Sequence, residues 1–363
     1  MNSSLSQFCT GGITCFIKLY GSIITSKVST FFYSLLVVVF RFLPISYFND
    51  LQVQPNEDGY FYYSLNGDTL IIPFIPIFIL LACSLISWKR QNQTDYLLFA
   101  MPFTRKELFL SKWLFGTIAI LFIMSLNGIL IYFILKINLF SQYQSFGPMG
   151  TLLCYVTITW IAIFTIAIFI GTIAGNVISH SILSLIFIIL PSGIGMLLFH
   201  FAWIHTNVST TEFFLKKANY ASYIENIEVF APTNNTYISY TFNPEVKEVD
   251  INNLKESVKE QHQFQPIWKL ITPILYILIL LPLGVFLYNR TPNENNGKIL
   301  LFTKLHRLFI PCVTICFALL GGRITGGKND PLLSYYAGFI IIGLFGYVIL
   351  HYLINKKFLL HTK

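Results

Sequence analysis

Few residues of this chain have side chains and spacings suited to catalysis, and they do not form a recognisable catalytic or metal-binding motif. The clearest candidate is GRITGGKN, residues 322–329, which follows the spacing of a phosphate-binding P-loop as far as its lysine. Asn329 lacks the hydroxyl that binds Mg²⁺ at the last position of such a loop, and no strand is predicted before the glycines. We therefore predict that this segment does not bind a nucleotide.

Histidines and cysteines offer two further candidates, both on apolar segments. His200 and His205 flank Trp203, while Cys312 and Cys316 lie four residues apart and share a helix face. A zinc site would need additional His, Cys or acidic ligands beside them. We expect the histidines to belong to an aromatic belt and the cysteines to be small packing residues. Paired carboxylates and a Ser, His and Asp set are also missing from the apolar segments, so we predict no enzyme activity, no metal and no cofactor.

The composition indicates an integral membrane protein. Hydrophobic residues make up 55% of the chain, charged residues make up 11%, and the mean hydropathy is +0.65, outside the range of soluble domains. The net charge of +8 is carried by loops between apolar segments, which is typical of orientation against anionic lipid. We predict a lipid bilayer as the environment of the chain and no nucleic-acid partner.

Apolar segments of about 20 residues are needed to cross a bilayer as helices. The chain contains eight of them, so the predicted fold class is an all-α integral membrane protein with eight transmembrane helices. The seventh segment is the shortest, and it contains Pro311. The predicted spans are 28–48, 68–88, 113–136, 151–174, 180–203, 267–288, 307–324 and 333–354.

Four regions follow from this pattern of spans. We expect residues 1–27 to form an N-terminal interfacial helix, 28–203 a first block of five spans, 204–266 an insert, and 267–363 a second block of three spans. Lys and Arg are concentrated in every second loop, which places those loops and both chain termini on the cytoplasmic side of the cell membrane. The insert is then extracellular, and its charged run over 252–261 favours a helix.

Three polar residues in or near the spans have predicted surroundings. Asn127 is expected to bond to a neighbouring helix, as Asn residues within membranes commonly do. His180 is expected at the membrane surface. Lys112 is expected among the lipid headgroups, since it stands next to the predicted start of the third span.

The stretch between Trp88 and Leu114 is the most informative part of the chain. It reads WKRQNQTDYLLFAMPFTRKELFLSKWL and interrupts two apolar segments with charges. We predict a short amphipathic helix on the cytoplasmic membrane surface, stopped by Pro102, whose ring disfavours helix at the preceding residue. Thr104 and Glu107 have the spacing of a capping box, which would start the next helix. The short helix, the proline break and the capped restart together form a stiff elbow.

This stretch, and a second one after the sixth predicted span, resemble the ABC-2-type export permeases, in particular their Gram-positive subgroup with eight spans. The second stretch is LYNRTPNENNGKILLF, in which Asn289 stands in place of one residue of a basic pair. In the first stretch Ala100 and Met101 stand where the family has a Ser and a Leu. The first motif is matched by Arg90, Asp95, Leu98, Pro102, Arg105, Leu108 and Lys112, and the second by Tyr288, Arg290, Glu294 and Gly297.

The resemblance implies a permease subunit that works beside separate ATP-hydrolysing subunits. A coupling helix near 92–107 would dock on each ATPase subunit, and two ATPase copies would drive two permease copies, identical or homologous, between inward- and outward-facing states. The predicted ATPase-coupling residues are Leu97, Leu98 and Met101 in an apolar groove, Arg105, Lys106 and Glu107 at its rim, and Arg90, Asp95, Pro102 and Thr104 beside them. Arg290, Glu294 and Gly297 are the predicted residues of the second cytoplasmic loop.

Several functions remain compatible with the sequence. The exported substrate could be a peptide antibiotic, a lipid or a small hydrophobic compound, so resistance to antimicrobial peptides is one role among several. A multi-pass membrane enzyme acting on lipid-linked substrates is an alternative of a different class. An immunity or sensor protein that binds a peptide antibiotic without transport is another.

Overall fold

The part of the chain that the structure describes is mostly helical, with one small sheet. A computed structural model describes residues 61–91, 104–137, 146–205, 220, 222–242, 258–292, 297, 299–326 and 331–355. The strands are β1 (Phe61–Asn66), β2 (Tyr237–Phe242) and β3 (Val258–Gln263). The helices are α1 (Ile75–Leu85), α2 (Ser87–Gln91), α3 (Arg105–Ile137), α4 (Phe146–Gly171), α5 (Val177–Ile204), α6 (Ile271–Arg290), α7 (Thr303–Thr325) and α8 (Pro331–Asn355).

Six helical stretches among the described residues are long and apolar enough to cross a membrane. The apolar part of α7, Phe309–Thr325, is shorter than these six, as the sequence predicted for the seventh span. The first predicted span, 28–48, and the interfacial helix of 1–27 lie outside the described residues, so the total of eight spans stays a prediction. The six stretches are Asp68–Leu85, Arg105–Lys136, Phe146–Gly171, Val177–Ile204, Ile267–Arg290 and Leu332–Tyr352.

The second predicted span is assembled from short helical pieces. Its first residues form two 3₁₀ turns, Asp68–Leu70 and Ile72–Phe74, before α1 begins. Pro73 and Pro76 each occupy one of the first two positions of a helical piece, where a missing amide hydrogen removes no helical hydrogen bond. The helix is interrupted at Ile86, after which α2 resumes for five residues.

Helix α4 lies at the centre of the bundle and packs against α1, α3, α5 and α6. Trp160 is buried on α4, with its ring 4.8 Å from that of Phe74 and 5.0 Å from that of Phe78. Phe164 on another face of α4 lies directly against Gly116 of α3. The core is therefore built around one helix that is covered on several sides, while the surrounding helices keep wide apolar surfaces for lipid.

Helices α7 and α8 form an antiparallel pair held by close backbone approach. A side chain added at Gly338 would lie 2.6 Å from the carbonyl oxygen of Gly321, and one added at Gly322 would lie 2.5 Å from the ring of Tyr335. Small residues at such a crossing allow two membrane helices to pack without intervening side chains.

The strands form an antiparallel three-stranded sheet with β2 in the middle. Strand β1 precedes the second predicted span, so the insert completes its sheet with a segment that is distant in the chain. The prediction of helix over 252–261 is wrong where the structure describes it, because Val258 and the residues after it form β3. All six residues of β3 pair with β2, and this tertiary pairing outweighs the helix preference of Lys and Glu.

The amide of Asn127 bonds within its own helix, and the predicted bond to a neighbouring helix is absent among the hydrogen bonds of the described residues. Its Nδ2 donates to the Ile123 carbonyl oxygen at 2.7 Å, and its Oδ1 is buried with no partner in the described part of the chain. The side chain therefore satisfies its donor locally and leaves its acceptor inside the bundle.

Candidate functional site

The two ends of the helix bundle differ in the residues and elements that they carry. The end at which α3 begins and α4 and α6 finish carries Arg90 and Arg105, and we call it the arginine end. The opposite end carries the strands and is called the sheet end. The predicted coupling residues lie on or next to helix termini of the arginine end: Arg90, Thr104, Arg105, Lys106, Glu107 and Arg290.

Helix α3 starts with the predicted capping box. The Thr104 amide donates to Glu107 Oε2 at 2.8 Å, and the Glu107 amide donates to Thr104 Oγ1 at 3.3 Å. The two bonds satisfy amides that the first turn of a helix leaves without partners. Because α3 continues without a break to Ile137, this cap fixes the start of a 33-residue helix.

The first turn of α3 is tied to the last turn of α6. One guanidinium nitrogen of Arg105, Nη1, donates to the carbonyl oxygens of Asn289 at 3.3 Å and Thr291 at 3.2 Å. These carbonyls end α6, where a positive group compensates unpaired acceptors and the negative end of the helix dipole. Arg105 therefore joins the two stretches that the sequence analysis singled out separately.

A buried contact continues this joint one and two turns further along α3. The ring of Phe109 lies 5.4 Å from that of Tyr288 and rests against Gly284, where a side chain would meet it. Lys112 is fully buried, and its Nζ donates to the Tyr288 hydroxyl at 3.2 Å. We call Arg105, Phe109, Lys112, Gly284 and Tyr288 the α3–α6 joint.

The burial of Lys112 corrects the prediction that it lies among lipid headgroups. Helix α3 begins at Arg105, eight residues before the predicted third span, so Lys112 lies two turns inside a helix. Its side chain lies on the face that α6 covers, where the Tyr288 hydroxyl replaces water as an acceptor.

Arg90 lies at the other end of the segment that leads to Arg105, and its side chain is anchored on α4. Its side chain is 5% exposed, and Nη1 donates to the carbonyl oxygens of Gly171 at 3.1 Å and Ala174 at 2.8 Å. These carbonyls belong to the end of α4 and the turn after it. The guanidinium thus holds α2 on the central helix of the bundle.

His180 strengthens this anchor, and its position corrects the prediction that it lies at the membrane surface. The imidazole is buried, with Nε2 at 2.7 Å from the Ala167 carbonyl oxygen and Nδ1 at 2.7 Å from Ser87 Oγ. Since a carbonyl only accepts, Nε2 donates to Ala167, and Nδ1 shares the second bond with the Ser87 hydroxyl. Helix α2 covers the start of α5 and so encloses a residue that a linear pattern places outside.

The turn between α4 and α5 pairs with the segment after α6, a contact that the sequence analysis missed. The Gly175 amide donates to the Ile299 carbonyl at 3.3 Å, and the Gly297 amide donates back to the Gly175 carbonyl at 3.0 Å. Gly297 adopts a φ of 90°, which favours glycine. The sequence did contain a signal for a tight turn here, namely Gly175 followed by Asn176 between two spans. Asn176 caps α5 by accepting from the Ser179 amide.

The structure brings together only part of the predicted site. Arg90, Thr104, Arg105, Glu107 and Gly297 take part in the contacts above. Lys106 is exposed on the first turn of α3, and the Arg290 guanidinium lies 4.1 Å from the Phe286 ring. The predicted residues Asp95, Leu97, Leu98, Met101, Pro102 and Glu294 lie outside the described residues.

The arrangement is suited to holding helices in fixed relation. Within the described part of the chain, no group of three or more His, Cys, Asp and Glu side chains could hold a metal ion. Hydrogen bonds link α2 to α4, the turn after α4 to the segment after α6, and the end of α6 to the start of α3. Both ends of the stretch between Arg90 and Arg105 therefore rest on one bonded layer.

Comparison with known proteins gives one family match. A family model described as ABC-2 family transporter protein matches residues 59–240, which is half of the chain and includes β1, the whole 90–107 stretch and the helices up to α5. No curated protein and no solved structure matches the chain.

Proposed function

Because this chain belongs to the ABC-2 family of transporter proteins, we propose that it is the membrane-spanning permease subunit of an ATP-driven exporter. Members of this family are the membrane components of transporters and associate with ABC ATPases. ATP hydrolysis then takes place in separate subunits, and this chain converts their movement into export of a substrate. We propose eight spans, two ATPase subunits and a second permease copy for the assembled transporter.

The observation that carries this proposal is the layer of contacts at both ends of the stretch 91–104. A segment pushed by a soluble subunit transmits force only if its ends are fixed to membrane helices. Arg90 fixes one end on the last residue of α4. At the other end, Thr104 caps α3 and Arg105 bonds it to the end of α6. A loop that merely connects two spans would need neither bond.

The charge distribution supports an orientation with the arginine end in the cytoplasm. Arg90, Arg105 and Lys106 lie at that end, in agreement with the excess of Lys and Arg that the positive-inside rule gives to cytoplasmic segments. The sheet end is then extracellular, and the ATPase subunits meet the stretch around residues 92–107 from below. Both termini lie in the cytoplasm under the same proposal.

The test combines copurification with a change in the capping box. The tagged chain is purified from its native membranes, and we expect an ABC ATPase in stoichiometric amount. Thr104→Ala removes the acceptor of the Glu107 amide, which costs about 1 kcal/mol at the start of α3. We expect ATP turnover of the complex to fall several-fold while membrane insertion and the yield of the permease stay unchanged.

Thr104→Ser is the matched control, because it keeps the hydroxyl that accepts from the Glu107 amide. It should turn over ATP like the wild type. An absence of any ATPase, or an equal loss of insertion and turnover in Thr104→Ala, would contradict the proposal. Enzymatic activity of the isolated chain on a lipid-linked substrate would favour the alternative class.

A further inference from the structure

Helix α6 is bonded at both of its ends to parts of the molecule that the proposed function must connect. At the arginine end it receives Arg105, Phe109 and Lys112 of α3 through the α3–α6 joint. At the sheet end Thr272 Oγ1 donates to the Asn226 carbonyl at 2.7 Å, and the Tyr276 hydroxyl donates to the Ile227 carbonyl at 3.2 Å. A single helix thus joins the two ends of the bundle.

The sheet itself continues directly into this helix. After β3 the chain passes through three residues and the 3₁₀ turn Ile267–Leu270 before α6 begins. Gln265 in this connection donates to the Asn234 carbonyl at 2.7 Å and accepts from the Tyr155 hydroxyl at 3.0 Å. Any axial or lateral displacement of α6 therefore acts on the segment 226–234 and on the central strand that follows it.

The two anchors of the 91–104 stretch differ in how freely they can move. Arg90 is bonded to α4, which is enclosed by four helices and contributes more residues to the core than any other described helix. Arg105 is bonded to α6, which packs on α3 and α4 but leaves Leu278 63% exposed and Ile279 54% exposed toward lipid. Pro282 inside α6 removes one helical hydrogen bond and permits bending between the two ends.

We infer that α6 carries the ATP-driven displacement of the stretch 91–104 to the sheet end, and that Lys112 and Tyr288 are the positioning residues that engage α6. This inference rests on the proposed function and adds a route to it. A displacement of Arg90 is resisted by the enclosed helix α4. A displacement of Arg105 acts on α6, which lies at the periphery of the bundle. The Lys112–Tyr288 bond fixes the axial position of α3 relative to α6. An axial displacement of the start of α3 therefore displaces α6 as well.

Lys112→Met separates a positioning role from a structural one. Methionine has a similar length and no charge, so it removes the cost of a buried ammonium group and should leave thermal stability equal or higher. If Lys112 only stabilised the fold, transport coupling would be kept together with stability. If it engages α6, coupling falls although stability does not. Tyr288→Phe removes the same bond from the other side and keeps the ring that contacts Phe109.

The experiment measures the sheet end directly. Hydrogen exchange of residues 222–242 is compared in the purified permease–ATPase complex without nucleotide and after trapping with ATP and vanadate. We expect the wild type to show a nucleotide-dependent difference, and Lys112→Met and Tyr288→Phe to reduce it about fivefold, the scale set by one buried hydrogen bond. The loss in the double variant should be smaller than the sum of the two single losses, because both substitutions remove the hydrogen bond between Lys112 and Tyr288.

Trp113→Phe is the matched control. It removes a hydrogen bond of similar length from the adjacent residue of α3, the 2.9 Å bond from Trp113 Nε1 to Thr165 Oγ1 on α4. We expect it to keep the nucleotide-dependent difference. A full response in Tyr288→Phe, or an equal loss in Trp113→Phe, overturns the route through α6 and leaves the proposed function standing. Failure to isolate any ATPase complex overturns the proposed function and this inference with it.

Discussion

At the scale of single residues, polar groups in this protein lie where they satisfy helix ends. Arg90 and Arg105 each donate twice to carbonyls at or just beyond a helix C-terminus, and Thr104 and Glu107 satisfy amides at a helix start. In a bilayer such groups have no water to bond, so unpaired helix ends near the membrane are costly. The same residues that hold the fold are therefore those that the proposed coupling uses.

Glu228 at the sheet end gives a prediction about pH. Its carboxylate accepts from Asn234 Nδ2 at 3.2 Å. Burial raises the pKa of Glu228, and the charges of Glu225 and Asp68 raise it further, while hydrogen bonds from Asn234 and Ser192 lower it. A carboxyl with a raised pKa stabilises the folded state fully below its ordinary value of 4.5 and loses that contribution as the pH rises through the raised value.

We therefore expect Glu228→Gln to raise the unfolding temperature at neutral pH. The unfolding temperature of this variant should also fall less than that of the wild type as the pH rises from mildly acidic to neutral. The measurement is thermal unfolding of the purified protein at a series of pH values. Glu225→Gln should act in the same direction but more weakly, because its charge is a lesser cause of the raised pKa. Identical pH profiles of the unfolding temperature for Glu228→Gln and the wild type would show that this carboxyl does not determine the pH dependence of stability.

At the scale of elements, the contact between α7 and α8 depends on glycines. Gly338 lies against the Gly321 carbonyl and the Thr325 side chain, so even one methyl group forces the helices apart. Gly338→Ala is expected to cost about 1–3 kcal/mol, the usual range for overpacking. The unfolding temperature and the yield of purified protein report the loss.

Gly193 in α5 provides the comparison for this substitution. A side chain added there meets nothing within 4 Å, so Gly193→Ala should be neutral or slightly stabilising through its better helix propensity. Equal losses for Gly193→Ala and Gly338→Ala would mean that general helix effects, and not the α7–α8 crossing, set the cost.

At the scale of the whole molecule, the two ends of the bundle should lie on opposite sides of the membrane. In a variant with all six native cysteines replaced by alanine, Tyr223→Cys marks the sheet end and Lys106→Cys marks the arginine end. We expect a membrane-impermeant maleimide to label position 223 in intact cells and position 106 only after permeabilisation. Labelling of position 106 from outside intact cells would reverse the orientation and remove the basis of the proposed coupling.

Local pattern alone was sufficient for much of this description. Hydrophobic segment length predicted the described spans, and the spacing of Thr104 and Glu107 predicted the cap of α3, because both depend on residues close together in the chain. The family was predicted from two short motifs and is confirmed over 59–240. The subgroup, the ATPase copies and the roles of individual residues stay predictions.

Other features depend on contacts between distant segments, which no local pattern contains. Whether Lys112 meets lipid or protein depends on α6, which lies more than 150 residues later and supplies the Tyr288 hydroxyl at 3.2 Å. Likewise, Val258–Gln263 became a strand because β2 offers a complete set of partners, and His180 became buried because α2 folds over it. Sequence determined which segments enter the membrane and where helices start, since apolar length and capping are local. Tertiary structure alone decided which polar side chains face one another, since burial and pairing are set by the neighbours that the fold supplies.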